Sequence, residues 1–168
     1  MANTLEVRKQ LHAAGFRNRY WGWSAISQLP MILEQGEVIE RAASGYYDDG
    51  YAVVLATNRR VLFLDKKLMS FRAEDLHYEM ISEVEHYLGP MVAVLRVHGL
   101  SKPIVLKSLH HSNIQAFAIH VEQKSSDIRF NMQNVQTWAN LMERAQSQQQ
   151  PQMPARNPIS QQVFTRNQ

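Results

Sequence analysis

The chain has 168 residues, of which 45% are hydrophobic and 20% charged, with a net charge of +3. That suits one globular domain with extensions and is short for two; so small a charge makes neither nucleic acid nor anionic lipid the default partner. Cysteine is absent, which excludes disulfides, zinc-thiolate sites and a cysteine nucleophile and fits a reducing compartment.

Glu6, Arg8 and Lys9 interrupt the N-terminus, so no signal-peptide core is expected. The longest apolar run, Tyr51 to Ala56, is far below the roughly 20 residues of a membrane span. The expectation is a cytoplasmic protein. Residues 3–14 read as a helix with Asn3 and Glu6 as a capping box, Leu5 and Leu11 on one side and Gly15 as the stop. A second helix is expected between Ser24 and Leu33, starting at Ser27 if the Pro30 ring occupies the first turn. Residues 1–35 are therefore assigned to an N-terminal helical extension.

From residue 36 the period becomes that of strands. Val38 to Tyr47 leads to a turn at Asp48-Asp49-Gly50, and Tyr51 to Ala56 is β-rich. Thr57-Asn58-Arg59-Arg60 then links to Val61-Leu62-Phe63-Leu64 as a hairpin, with Asn58 suited to a positive φ. Lys66-Lys67 makes the next turn, and Phe71 to Tyr78 is irregular. Ile81 to Leu88 alternates, as does Met91 to His98, whose Met91, Ala93, Leu95 and Val97 share one side and Val92, Val94 and Arg96 the other. Ile104 to Leu106 is the last strand, and Pro103 at its start argues for a strand beginning or an edge.

Ser112 and Gln115 then cap a helix whose stripe is Ile114, Phe117, Ala118 and Val121, ending at Lys124-Ser125-Ser126. A shorter helix, Val135 to Ala145, carries Val135, Trp138, Leu141 and Met142 within a segment at 125–145. The Gln- and Pro-rich stretch 146–168 is expected to be disordered. About seven short antiparallel strands and one striped helix imply a mainly β, α+β architecture: a strongly bent barrel capped by that helix, over residues 36–124.

Several details resemble the bacterial pleckstrin-homology-like family, in particular its YokE-like group, and more distantly the GRAM domain. They are Leu33-Glu34-Gln35-Gly36-Glu37-Val38-Ile39, Gly45, the run Gly50 to Leu64 with its complete Thr57-Asn58-Arg59-Arg60 hairpin, and Tyr78 with Ile81 and Val84. The resemblance covers about residues 30–124. It implies the fold and little about function, because this superfold hosts lipid, peptide and self-assembly sites alike.

No pair among His12, His77, His86, His98, His110, His111 and His120 has ligand spacing on one element. Glu83 and Glu85 beside His86 read as a solvated strand face rather than an acid–base pair. There is no phosphate loop and no nucleophile elbow. No enzyme, metal or cofactor is expected. Arg59, Arg60, Lys66 and Lys67 are candidate anion contacts at hairpin ends. Arg17, Arg19, Tyr20, Trp21 and Trp23 form a candidate interaction surface, since aromatics and arginine are enriched at interfaces. The expected partner is a protein or another copy of the chain, giving a homo-oligomer. Weak association with anionic membranes through the basic turns and aromatics is the alternative. No specific nucleic acid is expected, and no phosphoinositide, since Asp48 and Asp49 occupy the first loop.

Overall fold

The computed structural model describes residues 3–16, 26–48, 50–67, 70–99 and 102–148, with the side chains of 66 and 146–148 outside that description. The helices are α1 (Thr4–Ala13), α2 (Leu29–Ile32) and α3 (His111–Gln148). The strands are β1 (Ile39–Tyr47), β2 (Gly50–Thr57), β3 (Arg60–Lys66), β4 (Phe71–His77), β5 (Glu83–Leu88), β6 (Ala93–His98) and β7 (Ile104–Ser108), with a 3₁₀ turn at Tyr78–Met80. Contacts divide the chain into Met1–Asn131 and Met132–Gln168, and α3 contributes to both units.

All seven strands join one antiparallel sheet in the order β4-β3-β2-β1-β7-β6-β5. Strands β1–β4 form one leaf and β5–β7 the other. A single register pair, Tyr46 with Lys107, joins the leaves. Gly45 stands at that crossing, where a Cβ would lie 2.2 Å from the Lys107 carbonyl oxygen. Only glycine fits so close an approach of two backbones.

Inside the bend, Val54, Phe63, Leu95 and Leu106 surround Ile114, Phe117, Ala118 and Val121 of α3, all of them buried. The helix stripe therefore closes the sheet, as its spacing predicts. On the outer face of the first leaf, Val53, Leu55, Leu62 and Leu64 meet Val7 and Leu11 of α1 and Leu29 of α2. Strands β2 and β3 are thus covered on both faces, which is why Tyr51 to Ala56 is a continuous apolar run instead of an alternating one.

Several expectations are corrected. Val7, not Leu5, pairs with Leu11 on the buried side of α1; Leu5 is exposed. Gln28 precedes α2 and Pro30 fills its first turn, so Ser27 is not the cap. Residues 71–77 are a regular strand; they look irregular because β4 is mostly exposed on both sides and shows no alternation. Strand β7 lies between β1 and β6, so Pro103 does not mark an edge. Its missing N–H falls just before the ladder begins at Ile104. The edges are β4 and β5. Helix α3 starts at His111, two residues earlier than a Ser112 cap implies, so Ser112 lies inside it, and it continues through Lys124-Ser125-Ser126 to Gln148. There Ser125 is buried and its hydroxyl donates to the Glu122 carbonyl at 3.1 Å, which satisfies it within the helix. The break expected near 125 is absent, and the helix reaches three residues into the stretch expected to be disordered; residues 149–168 lie outside the described residues.

Candidate functional site

The motif residues build a lock between the chain before β1 and the β2–β3 hairpin. Glu37 is buried, and Arg60 holds its two oxygens with Nε and Nη2 at 3.1 and 3.0 Å. The Thr57 hydroxyl donates to Glu37 at 2.8 Å and accepts from the backbone N–H groups of Arg59 and Arg60. Burial alone pushes the Glu37 carboxyl up. The Arg60 hydrogen bonds, the Glu34 N–H, the Thr57 hydroxyl and the Arg60 charge outweigh it and hold the group below the usual carboxylate range. Arg60 also reaches Asp75 at 3.3 Å and the Ile32 carbonyl at 3.2 Å. Arg59 pairs with Glu34 at 2.6 Å and donates to the Gln35 carbonyl.

Asn58 is not in the positive-φ region; Asp48 is the non-glycine residue found there among the described residues. Asn58 serves through its amide instead. Its oxygen accepts from the Val38 N–H at 2.9 Å and its NH₂ donates to the Gly36 carbonyl at 3.1 Å. Gly36 takes a φ of +76°, which brings these groups to the hairpin.

A second tie joins β1 to α3. Glu40 is the extra residue of a bulge between Ile39 and Arg41, and a bulge re-aims its side chain. The carboxylate meets Lys124 and stands 3.0 Å from His120 Nε2. Burial raises the Glu40 carboxyl, and the Lys124 and His120 contacts outweigh it to hold it low. Lys124 also donates to the Thr57 carbonyl, which accepts from the buried Tyr78 hydroxyl at 2.5 Å.

Three of the candidate anion contacts have carboxylate partners, and the side chain of the fourth, Lys66, lies outside the described residues. Arg59 and Arg60 are bound to carboxylates of their own chain. Lys67 pairs with Asp48 at 3.4 Å, and Lys66 ends β3 opposite Phe71. The candidate surface Arg17, Arg19, Tyr20, Trp21 and Trp23 lies outside the described residues. Around the first loop the structure adds two cations that sequence reading did not place there. Lys102 and Lys107 line a groove of about 270 Å³ with Tyr46, Tyr47 and Asp48. Glu83 and Glu85 face His98 across β5–β6, not the neighbouring His86, with their ligand atoms all within 4.8 Å. Arg96 pairs with Glu85 at 3.1 Å, as on a solvated face.

One apolar surface stands out. At the β5–β6 turn Leu88, Met91 and Val92 are exposed, Met91 at 78%, and Leu109 is exposed beside them. Ala93 pairs with Ser108, which brings Val92 and Leu109 together. The turn is fixed by the Gly89 N–H bond to the Val92 carbonyl at 3.1 Å and by His111 Nε2, 2.7 Å from the Gly89 carbonyl oxygen. The exposed Tyr87 ring lies against Gly89. Nothing in the alternation of β5 distinguishes this turn from an ordinary one. The signal that could have found it is Met91-Val92 directly after Gly89-Pro90, apolar where a turn is normally polar.

A bent antiparallel sheet of seven strands closed by a C-terminal helix is the pleckstrin-homology-like architecture. The family model for the bacterial PH domain matches residues 33–123, and the chain belongs to that family. The chain is also similar to a DUF1696 family protein with a pleckstrin-homology domain from Shewanella loihica PV-4. The two are 19% identical over 62% of this chain and 98% of that one, with a TM-score of 0.43. Comparison with curated proteins gave no match.

Proposed function

We propose that the chain is a non-catalytic interaction module that binds protein, further copies of itself included. The carrying observation is the cluster of exposed apolar side chains at the β5–β6 turn, Leu88, Met91 and Val92, with Leu109 beside Val92. Exposed apolar side chains gathered on a fixed turn mark a protein contact more often than chance exposure does. The alternative, an anionic membrane, is less well supported, because Arg59, Arg60 and Lys67 are already matched by Glu34, Glu37 and Asp48. Catalysis has no better footing: the buried carboxylate Glu37 and the half-buried Glu40 both serve as internal ties. Among the described residues no helix is long and apolar enough to cross a membrane.

The test places a photo-crosslinking residue at Met91 in the full chain, with one at the exposed Lys102 as control. The purified chain is also sedimented with anionic phosphatidylserine vesicles at low and high salt. Protein adducts at Met91 and not at Lys102, without pelleting, are expected. Salt-sensitive pelleting with no adducts would replace a protein partner by a membrane.

A further inference from the structure

The part of α3 that lies beyond Asn131 is amphipathic. At about 100° per residue, Val135, Trp138, Leu141, Met142 and Ala145 fall within an arc of about 120°. They are exposed, at 69% for Val135, 66% for Trp138, 50% for Leu141 and 64% for Met142. Gln136, Asn140, Glu143 and Arg144 occupy the other side.

We propose that this stripe pairs with the same stripe of a second copy, antiparallel, about a two-fold axis at the level of Asn140. This deepens the interaction-module reading, on which it rests, by naming the partner and the face.

The sequence is complementary to itself in that direction. An isologous contact brings residue i onto j and j onto i. Here Val135 opposes Ala145 and Trp138 opposes Met142, a sulfur–aromatic pairing. Leu141 is level with Ala139 of the second copy, so the two leucines stand one residue to either side of the axis. Parallel pairing in register would instead stack Trp138 on Trp138 and leave the small Ala145 layer unfilled. Charge points the same way. The two charged side chains of 132–148, Glu143 and Arg144, are of opposite sign and lie off the stripe, so no like charges face each other in the pair. A helix that lies on anionic membrane carries many cations on its polar face, whereas this one has a single arginine.

Area sets the strength. Each large stripe residue exposes on the order of 100 Å², as judged from the 150–250 Å² an aromatic side chain can bury. The pair then buries at most about 1,000 Å², which is the low end for specific interfaces. The association is therefore weak and depends on concentration.

The full chain is examined by sedimentation equilibrium up to about 1 mM, where a micromolar-class pair is saturated. A monomer–dimer equilibrium is expected. Trp138→Glu should weaken it at least tenfold while leaving the circular dichroism and melting curve unchanged, since Trp138 is exposed. The natural absence of cysteine permits a direct test of direction. Val135→Cys copies mixed with Ala145→Cys copies should form mixed disulfides under mild oxidation faster than either variant alone forms its own. A monomer at every concentration overturns the pairing, as does a dimer indifferent to Trp138→Glu. Efficient self-linking of each single variant overturns the antiparallel direction. A monomer that still crosslinks to protein through Met91 would remove the pairing and leave the interaction-module reading in place. A stripe-dependent dimer with no adduct at Met91 would keep the pairing and remove the patch as a binding surface.

Discussion

Replacing Arg60 by alanine tests the lock at its centre. The variant leaves the buried Glu37 carboxylate with the Thr57 hydroxyl and the Glu34 N–H but without a counter-charge. Removing one partner of a buried ion pair costs about 3–5 kcal/mol, most of it the unpaired charge left behind. For a protein of this size that lowers the melting temperature by roughly 10 °C. The pH dependence discriminates the cause. In the native protein the folded-state pKa of Glu37 is depressed, so its contribution to stability is present above the unfolded value near 4.5 and is lost as pH falls through the folded value. Without Arg60, burial acts with less opposition and pushes the carboxyl up. The penalty is then full at neutral pH and is relieved as acid protonates Glu37. Urea unfolding from neutral to acid pH should therefore show the gap between the two proteins closing on acidification. Glu37→Gln in the same background should recover part of the loss at neutral pH. A gap that stays constant across the range would refute the unpaired-charge account and leave only lost packing.

Phe117→Ala empties the middle of the inner core and should cost about 3–5 kcal/mol; an unchanged thermal transition would contradict closure of the sheet by α3. Gly45→Ala should cost about 1–3 kcal/mol, because the new Cβ cannot share space with the Lys107 backbone. Melting of the purified variant decides it, and wild-type stability would mean that the leaves slide apart freely at that crossing.

The elements whose burial follows a period were readable from the residues. The α3 stripe, the alternation of β6 and the hairpin around Thr57 to Arg60 all stand where spacing places them. What escaped depends on partners distant in sequence. Arg60 looks like a turn cation until Glu37, 23 positions earlier, is brought beside it. Asn58 suggests a backbone role by its place in a hairpin, although its side chain holds Gly36 and Val38. Lys102 and Lys107 reach the first loop because β7 pairs with β1, and sheet order is not written in local alternation. The exposed apolar residues at the β5–β6 turn escape a reading by period, because Met91 and Val92 extend the alternation of β6 into the turn.

The two-sided burial of β2 and β3 bears on how the chain is made. The outer cluster draws on residues from Val7 to Leu64, with Phe71 packed against it. The inner cluster is not complete until Val121 of α3 has joined. A nascent chain emerging from the N-terminus can therefore cover one side of its central strands early. The other side waits for some fifty residues more. Over that interval Val54, Ala56, Val61 and Phe63 face outward on an unfinished sheet. A surface that is fully buried in the finished state is thus the one left uncovered longest during synthesis.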